Sequence, residues 1–265
     1  MSSLVKTEAV VLRSVKYRET SRIVTFYTLE FGKLKGIAKG VRRGGKVLAA
    51  VLEPMSYVSL VVYKKEKRDI QFISQCDLLD YFRGIRESLD KIMTGLSVVE
   101  LTDMLTKEGD KNPQFFRMTA AVLSSLDRAK RNYRNYLYAF EIYLAATMGF
   151  RPDFNSCVSC GAKLVIPGVR STQIDFRLDR GGALCKSCIT GAGQGLKISV
   201  SAFQVMKTLA AMKNFTGIQN IGIGEKPEKE IERFLWDYLN YHFGGIRKLR
   251  SQAVLSRLQH RVKNY

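Results

Sequence analysis

The sequence is poor in histidine, and this shortage narrows the functions it supports. Among 265 residues there are two histidines, His242 and His260, both near the C-terminus. Histidine is the commonest general base and a frequent metal ligand, so its scarcity disfavours mechanisms built on either role. The sequence also lacks a nucleophile elbow, a G-x-x-x-x-G-K-[ST] phosphate loop and a paired-carboxylate motif. We therefore expect a protein that is not an enzyme and has no catalytic residues.

Long apolar runs are missing as well. No stretch reaches the roughly 18–20 apolar residues that a membrane helix needs. Near the N-terminus, Lys6 and Glu8 interrupt any apolar core of a secretory signal. The expectation is a cytoplasmic protein with no membrane partner, in which thiols stay reduced and disulfides are rare.

Acidic residues are few compared with basic ones. Lys and Arg number 43 against 24 Asp and Glu, which gives a net charge of +19. Such a surplus favours a polyanionic partner, most often nucleic acid. The surplus is concentrated at the two ends of the chain, and residues 242–265 contain no acidic residue at all.

The first third of the chain has the pattern of short strands. It is rich in β-branched and aromatic residues, and no helix in it is long enough for a parallel crossover. The predicted strands are residues 4–13, 21–29, 33–40, 57–63 and 70–75. Five such strands, with a short helical segment near 46–53, favour a closed barrel of the OB type, because closure removes exposed strand edges. We assign this nucleic-acid-binding domain to residues 1–80.

Barrels of this type bind single strands by combining a basic groove with aromatic platforms. The candidate cations are Arg18, Arg22, Lys33, Lys35, Lys39, Arg42, Arg43 and Lys46, and the candidate stacking rings are Tyr17, Phe31 and Tyr63. Residues 39–46 combine four charges with three glycines, which suits a loop that approaches phosphates. A solvated basic face and packed aromatic rings remain the alternatives.

From residue 81 the apolar residues recur at helical spacing. Three stripes stand out: Ile92, Leu96 and Val99; Phe115, Met118, Val122 and Leu126; and Leu137, Phe140, Leu144 and Met148. Later helices are expected after a cap at Ser199 or Ser201 and around Pro227, which acidic residues follow. The fold class is thus α+β, with a helical domain over residues 81–265.

Two further basic stretches belong to this helical domain. One contains Arg128, Lys130, Arg131 and Arg134, and the other contains Arg247, Lys248 and Arg250. Either stretch would suit a phosphate backbone, and the first would also suit an acidic peptide. A solvated helix face is the alternative for both.

Four cysteines carry the sharpest chemical signal. Cys157 and Cys160 form one C-x-x-C pair, Cys185 and Cys188 form another, and 24 residues separate the pairs. Two intervening residues let a tight knuckle aim both sulfurs at one ion, and four thiolates complete a tetrahedral shell. Because no position stays open for water, the predicted Zn²⁺ is structural and holds together an insert at about 154–192. Disulfides or a redox pair are the alternatives, and the fifth cysteine, Cys76, reads as a small buried apolar residue.

Several segments together resemble the RecO family of bacterial DNA repair proteins. They are residues 17–28, 31–33, 38–43, 52–54, 148–153, 181–188 and 249–251. The resemblance implies a recombination mediator of the RecF pathway that binds single- and double-stranded DNA and anneals complementary strands. It further implies that the protein works with RecR and the C-terminal tail of SSB to load RecA. Some members lack the cysteines, and the presence of all four here implies bound zinc.

Two other classes share part of this pattern. A zinc-ribbon RNA-binding or ribosome-associated factor would have the same charge and metal, but it would prefer structured RNA to single-stranded DNA. A metal-dependent nuclease or transferase would need an acidic or histidine cluster, which the sequence does not offer.

Overall fold

The computed structural model describes residues 3–39, 50–165, 173–189, 195–246 and 249–251. These residues form two compact units. The first contains the described residues up to Ala129 together with residues 249–251, and the second contains those from Lys130 to Ile246. The domain boundary expected after residue 80 coincides with the end of the last barrel strand, whereas the first unit continues to Ala129.

The first unit is built on a closed five-stranded barrel. Its strands are β1 (Ser3–Tyr17), β2 (Ser21–Thr28), β3 (Gly32–Ala38), β4 (Tyr57–Lys64) and β5 (Ile70–Asp80), in the order β1-β2-β3-β5-β4. Only the short β3–β5 contact is parallel among these pairs. The α+β class and the OB-type barrel are therefore confirmed. β1 is longer than predicted because it pairs with β4 along its first half and with β2 along its second, with an irregularity between Val11 and Arg13 that lets it curve.

Alternation along the strands fills the barrel with apolar side chains. The core consists of Ala9, Val11, Val24, Phe26, Leu34, Ala38, Val51, Leu52, Val58, Leu60, Val62 and Ile73. Val51 and Leu52 come from the expected helical segment, of which residues 50 and 51 are helical and residues 46–49 lie outside the described residues. Cys76 is partly buried against this core, and burial raises the pKa of its thiol to about 12. Cys76 therefore packs against the barrel core as a small apolar residue, as expected.

Three helices follow the barrel in the described part of the first unit: α1 (Arg83–Arg86), α2 (Leu89–Leu105) and α3 (Pro113–Arg128). α3 begins where Pro113 follows Asn112, whose side chain accepts the N–H of Phe115 at 3.0 Å. Phe115 is fully buried, and its ring lies 5.4 Å from that of Tyr27 on β2. This aromatic contact attaches α3 to the outside of the barrel.

The second unit combines helices with a small sheet. Its elements are α4 (Arg134–Thr147), β6 (Gln173–Arg177), β7 (Gly182–Ala183), α5 (Lys186–Ile189), β8 (Leu196–Ser199), α6 (Val200–Ala211), a 3₁₀ helix (Ile218–Asn220) and α7 (Glu225–Phe243). The sheet order is β7-β6-β8. Ser199 caps α6 by accepting the N–H of Ala202 at 3.2 Å. Phe176 on β6 packs against Phe234 and Tyr238 of α7, which joins the sheet to the longest helix of the unit.

None of the described helices is both long enough and apolar enough to cross a bilayer.

Candidate metal centre and nucleic-acid interface

The four cysteines of the two C-x-x-C pairs converge in the second unit. Their sulfur atoms all lie within 4.8 Å of one another, and the Sγ atoms of Cys160 and Cys185 are 3.7 Å apart. A tetrahedral ion with metal–sulfur bonds of about 2.3 Å places its ligands about 3.8 Å from each other. The residues present therefore fit a four-sulfur metal site. The four cysteines that the sequence spacing grouped together do lie together in the structure.

Backbone hydrogen bonds shape the two knuckles that carry these sulfurs. In the first, the N–H of Cys157 donates to Ala162 O and the N–H of Gly161 donates to Cys157 O, both at 2.8 Å. Gly161 adopts a φ of +74°, which only glycine adopts without strain. In the second knuckle, the N–H of Cys188 donates to Cys185 O at 3.0 Å. Gly161 thus permits the tight turn of the first knuckle.

The backbone of the first knuckle lies close to that of β7, and this contact brings the two cysteine pairs together. The N–H of Val158 donates to Ala183 O at 3.1 Å. A Cβ on Gly182 would lie 2.2 Å from Cγ1 of Val158. Since real side chains do not approach so closely, glycine at 182 lets β7 lie directly against the first knuckle.

The pKa values of two of these four closely spaced thiols are shifted in opposite directions. Burial opposes ionisation of Cys157, but N–H groups of Cys185, Cys160 and Ser159 point to its sulfur and lower its pKa to about 6. The thiols of Cys185 and Cys160 raise the pKa of Cys188 to about 12. Four sulfurs this close do not all ionise without a positive ion between them.

Two of the predicted DNA-contacting lysines have intramolecular acidic partners. Lys33 Nζ lies 2.6 Å from the backbone O of Asp103 and 3.3 Å from its Oδ1, and the lysine side chain is only 13% exposed. Lys35 forms an ion pair with Glu108. Both lysines lie on the outer face of β3. Because each of them contacts a carboxylate, its charge is largely balanced within the first unit.

Three other predicted cations of the barrel have no ion-pair partner among the described residues. The guanidinium of Arg18 lies 5.4 Å from the ring centroid of Tyr17, and Arg22 donates to Ser14 Oγ at 3.3 Å. Lys39 is exposed, with Nζ 5.6 Å from the ring centroid of Phe72. These charges are therefore available to an anionic ligand.

An apolar belt runs across all five strands on the outside of the barrel. Strand register places its members side by side, in the order Val15, Ile23, Ile37, Phe72, Tyr63 and Leu4. We call these six residues the outer belt. The rings of Tyr63 and Phe72 lie 5.9 Å apart, and Tyr63 is 42% exposed. This pair of rings beside Lys39 has the composition typical of surfaces that bind single strands.

The sequence identified only part of this surface. Tyr63 was among the predicted rings, but Phe72 was missed, although it alternates with the buried Gln71 and Ile73 along β5. Tyr17 is 38% exposed and remains a candidate, whereas Phe31 packs partly against the barrel core with Nζ of Lys64 at 5.2 Å from its ring centroid.

The basic stretch around residues 128–134 makes several contacts within the protein, mostly with neutral groups. Arg128 donates to Ser124 Oγ at 2.9 Å. Arg131 donates to Asn220 Oδ1 at 2.9 Å, and Arg134 forms an ion pair with Glu232 at 2.9 Å. The side chain of Lys130 has no ion-pair partner among the described residues. Among the described residues only Arg134 of these four cations is ion-paired, so the exposed charges of Arg128, Lys130 and Arg131 remain available to an anionic ligand.

The described C-terminal residues pack on α2. Glu100 accepts the backbone N–H groups of Arg250 and Ser251 at 2.9 and 3.2 Å, and Ser97 Oγ lies 2.9 Å from Ser251 Oγ. Leu249 is buried, while the side chain of Arg250 is exposed. The remaining predicted contacts lie outside the described residues: Arg42, Arg43, Lys46, Arg247 and Lys248.

Comparison with known proteins covers nearly the whole chain. The family model described as Recombination protein O N terminal matches residues 1–82, and the one described as Recombination protein O C terminal matches residues 86–253. The DNA repair protein RecO of Desulforamulus reducens is 30% identical over 96% of this chain and 94% of its own length. The proteins of the same name from Salinibacter ruber and Chloroherpeton thalassium are 30% and 28% identical, over 97% and 96% of this chain and 95% and 98% of their own lengths. The resemblance found in the sequence is thus confirmed, and the chain belongs to the RecO family.

Proposed function

We propose that this protein is a recombination mediator in DNA repair, which binds single- and double-stranded DNA and anneals complementary strands. The observation that carries the proposal is the outer belt of the barrel, where two neighbouring rings, Tyr63 and Phe72, lie beside the available charge of Lys39. Rings and cations in this arrangement bind a single strand through base stacking and phosphate contacts. Membership of the RecO family supports the repair role.

Annealing follows from electrostatics without any covalent step. Two strands repel each other through their phosphates, and a basic surface that holds both releases their counterions and raises their local concentration. The net charge of +19 supports such a surface. Because phosphate carries no sequence information, binding should be nearly independent of sequence and strongly dependent on salt. The protein is accordingly not an enzyme in this proposal.

We further propose that the four-cysteine site holds structural Zn²⁺. Cys157, Cys160, Cys185 and Cys188 would hold the ion, which cross-links the two knuckles when it is bound. A shell of four sulfurs leaves no position for a reactive water, so the metal contributes to folding and not to a reaction.

The partners of the proposed function follow from the family. We propose that the protein acts with RecR, contacts the C-terminal tail of SSB and promotes loading of RecA on SSB-coated DNA. It would do so in the cytoplasm, at the nucleoid. Residues of the basic stretches at 128–134 and 247–250 remain candidates for the second strand or for an acidic partner segment.

The test measures the binding and the annealing of two complementary fluorescent oligonucleotides, with and without SSB. The Tyr63→Ala/Phe72→Ala variant is compared with Tyr241→Ala, which removes an exposed ring from the second unit. We expect the belt variant to lose single-strand affinity by about 1–3 kcal/mol per stacked base, with duplex affinity little changed. A wild-type protein that prefers structured RNA, or that cuts or modifies the oligonucleotides, would contradict the proposal.

A further inference from the structure

The second unit contains a cavity beside the first cysteine knuckle. It has a volume of about 540 Å³ and lies between the segment Arg151–Ser156 and one face of α6. Lys207, Ala210 and Ala211 form the α6 side. This volume is in the range of ligand-binding sites in general. Neither the metal centre nor the outer belt includes it.

Two cations line this cavity, one on each side. Arg151 comes from the segment that follows α4, and Lys207 comes from α6. Neither forms an ion pair with any of the described residues. The acidic residue of the lining, Asp153, uses Oδ1 to accept the N–H groups of Asn155 and Ser156 at 2.7 and 3.2 Å. The cavity therefore presents two cationic groups and one carboxylate, a net charge of +1, to a ligand.

The wall that carries Arg151 is held in place by the metal-binding part of the unit. The N–H of Asp153 donates to Gly181 O at 2.8 Å, and the N–H of Leu164 donates to Asn155 O at 2.8 Å. The same wall continues directly into Cys157. A wall fixed by these bonds loses little conformational freedom when a ligand binds, which favours affinity.

The charges of the lining suit a phosphate group. A planar guanidinium and an ammonium on opposite sides match the oxygens of a phosphate group. The aromatic residue of the lining, Phe154, is only 2% exposed and offers no face for stacking. The α6 side consists of small alanine side chains next to Lys207. The cavity thus recognises charge without a platform for a base.

We infer that this cavity binds a backbone phosphate of a nucleic-acid strand, as a second contact site in addition to the barrel. The inference rests on the proposed function, since it takes DNA as the ligand of the protein. Arg151 and Lys207 bind the phosphate. The hydrogen bonds of Asp153 to the neighbouring backbone fix the segment that carries Arg151. Neither Arg151 nor Lys207 was among the DNA contacts predicted from the sequence.

The test compares Arg151→Gln/Lys207→Gln with a control, Lys226→Gln/Arg233→Gln, which removes the same two kinds of charge from exposed positions of α7. Fluorescence anisotropy of a labelled single-stranded oligonucleotide is recorded at several salt concentrations. We expect the log–log salt slope of the cavity variant to be shallower by about 0.7, because the cavity holds one phosphate and each single-strand phosphate contact contributes about 0.7. The control should keep a slope close to that of the wild type.

A conservative variant, Arg151→Lys/Lys207→Arg, keeps both charges and should keep the wild-type slope. Circular dichroism melting verifies that all variants fold. A cavity variant that matches the control in slope and Kd overturns the inference and leaves the proposed function intact. A wild-type protein that binds no oligonucleotide overturns both.

Two further titrations distinguish other anions. Inorganic phosphate alone and an oligoglutamate peptide are each titrated into the wild type and the cavity variant by calorimetry. If the variant loses binding of either probe while its oligonucleotide slope stays unchanged, the cavity serves free phosphate or an acidic peptide, and the inference is wrong. A shallower salt slope of oligonucleotide binding in the cavity variant supports the inference.

Discussion

Replacing Glu141 by glutamine is expected to remove a pH dependence from the stability of the second unit. This glutamate lies on α4 and is only 6% exposed. Burial, and then repulsion from Glu232 on α7, raise its pKa from 4.5 to about 8. The same helices also bring Arg134, Tyr138 and Glu228 to this region, and Arg134 forms ion pairs with both Glu228 and Glu232.

The sign of the effect follows from proton binding. A carboxyl whose pKa rises on folding holds its proton more tightly in the folded chain. Its contribution to stability is therefore full below a pH of about 4.5 and is lost as the pH rises through about 8. The interval between the two pKa values corresponds to about 3–5 kcal/mol of unfolding free energy. Glutamine has no proton to lose, so the Glu141→Gln variant should not show this decline.

Trp236 provides the assay because it is the single tryptophan and lies on α7. Urea unfolding is followed by its fluorescence at about pH 5 and about pH 9, on either side of the carboxyl titration. The buried amide lowers the free energy of unfolding by about 1–3 kcal/mol at every pH. The diagnostic quantity is therefore the difference between the free energies of unfolding measured at about pH 5 and at about pH 9. Glu225→Gln, whose side chain is 82% exposed, is the control. A Glu141→Gln variant whose stability declines with pH in parallel with the wild type would refute the reasoning.

Two further predictions concern the metal and the barrel charges. Cys185→Ser should abolish stoichiometric binding of one Zn²⁺ and lower the melting temperature reported by Trp236, because three sulfurs leave the shell incomplete; an unchanged metal content by atomic absorption would count against the site. Asp103→Asn should strengthen DNA binding by about fivefold at most at low salt, because it releases Lys33 from an ion pair worth up to about 1 kcal/mol. Equal affinity of Asp103→Asn and wild type in anisotropy titrations would show that Lys33 does not face the DNA.

Local patterns in the sequence were sufficient to predict the barrel and the cluster of four cysteines. β-branched alternation predicted all five strands, and the two C-x-x-C pairs predicted which sulfurs meet, because both signals depend on neighbours within a few residues. Strand ends were less well predicted: β5 continues to Asp80, five residues beyond the expected end. Pairing with β4 extends it, and that pairing is not visible in β5 alone.

The charges were harder to predict because their state depends on distant residues. Lys33 and Lys35 look available on an alternating strand, yet Asp103 and Glu108 approach them from about 70 positions along the chain. In the same way, nothing local to Arg151 indicates that Lys207 lies across a cavity from it. Such contacts arise only when helices pack, and packing is a property of the whole fold.

The contact of Ser251 with Ser97 and Glu100 has a consequence for fragments of this protein. Because the last described residues belong to the barrel unit, a chain shortened ahead of Leu249 damages the N-terminal half first. Such a fragment would leave Glu100 without the backbone groups that it holds and would expose the site that Leu249 covers. Expression of the barrel by itself is therefore better attempted with α2 and a grafted copy of this C-terminal segment than by simple truncation.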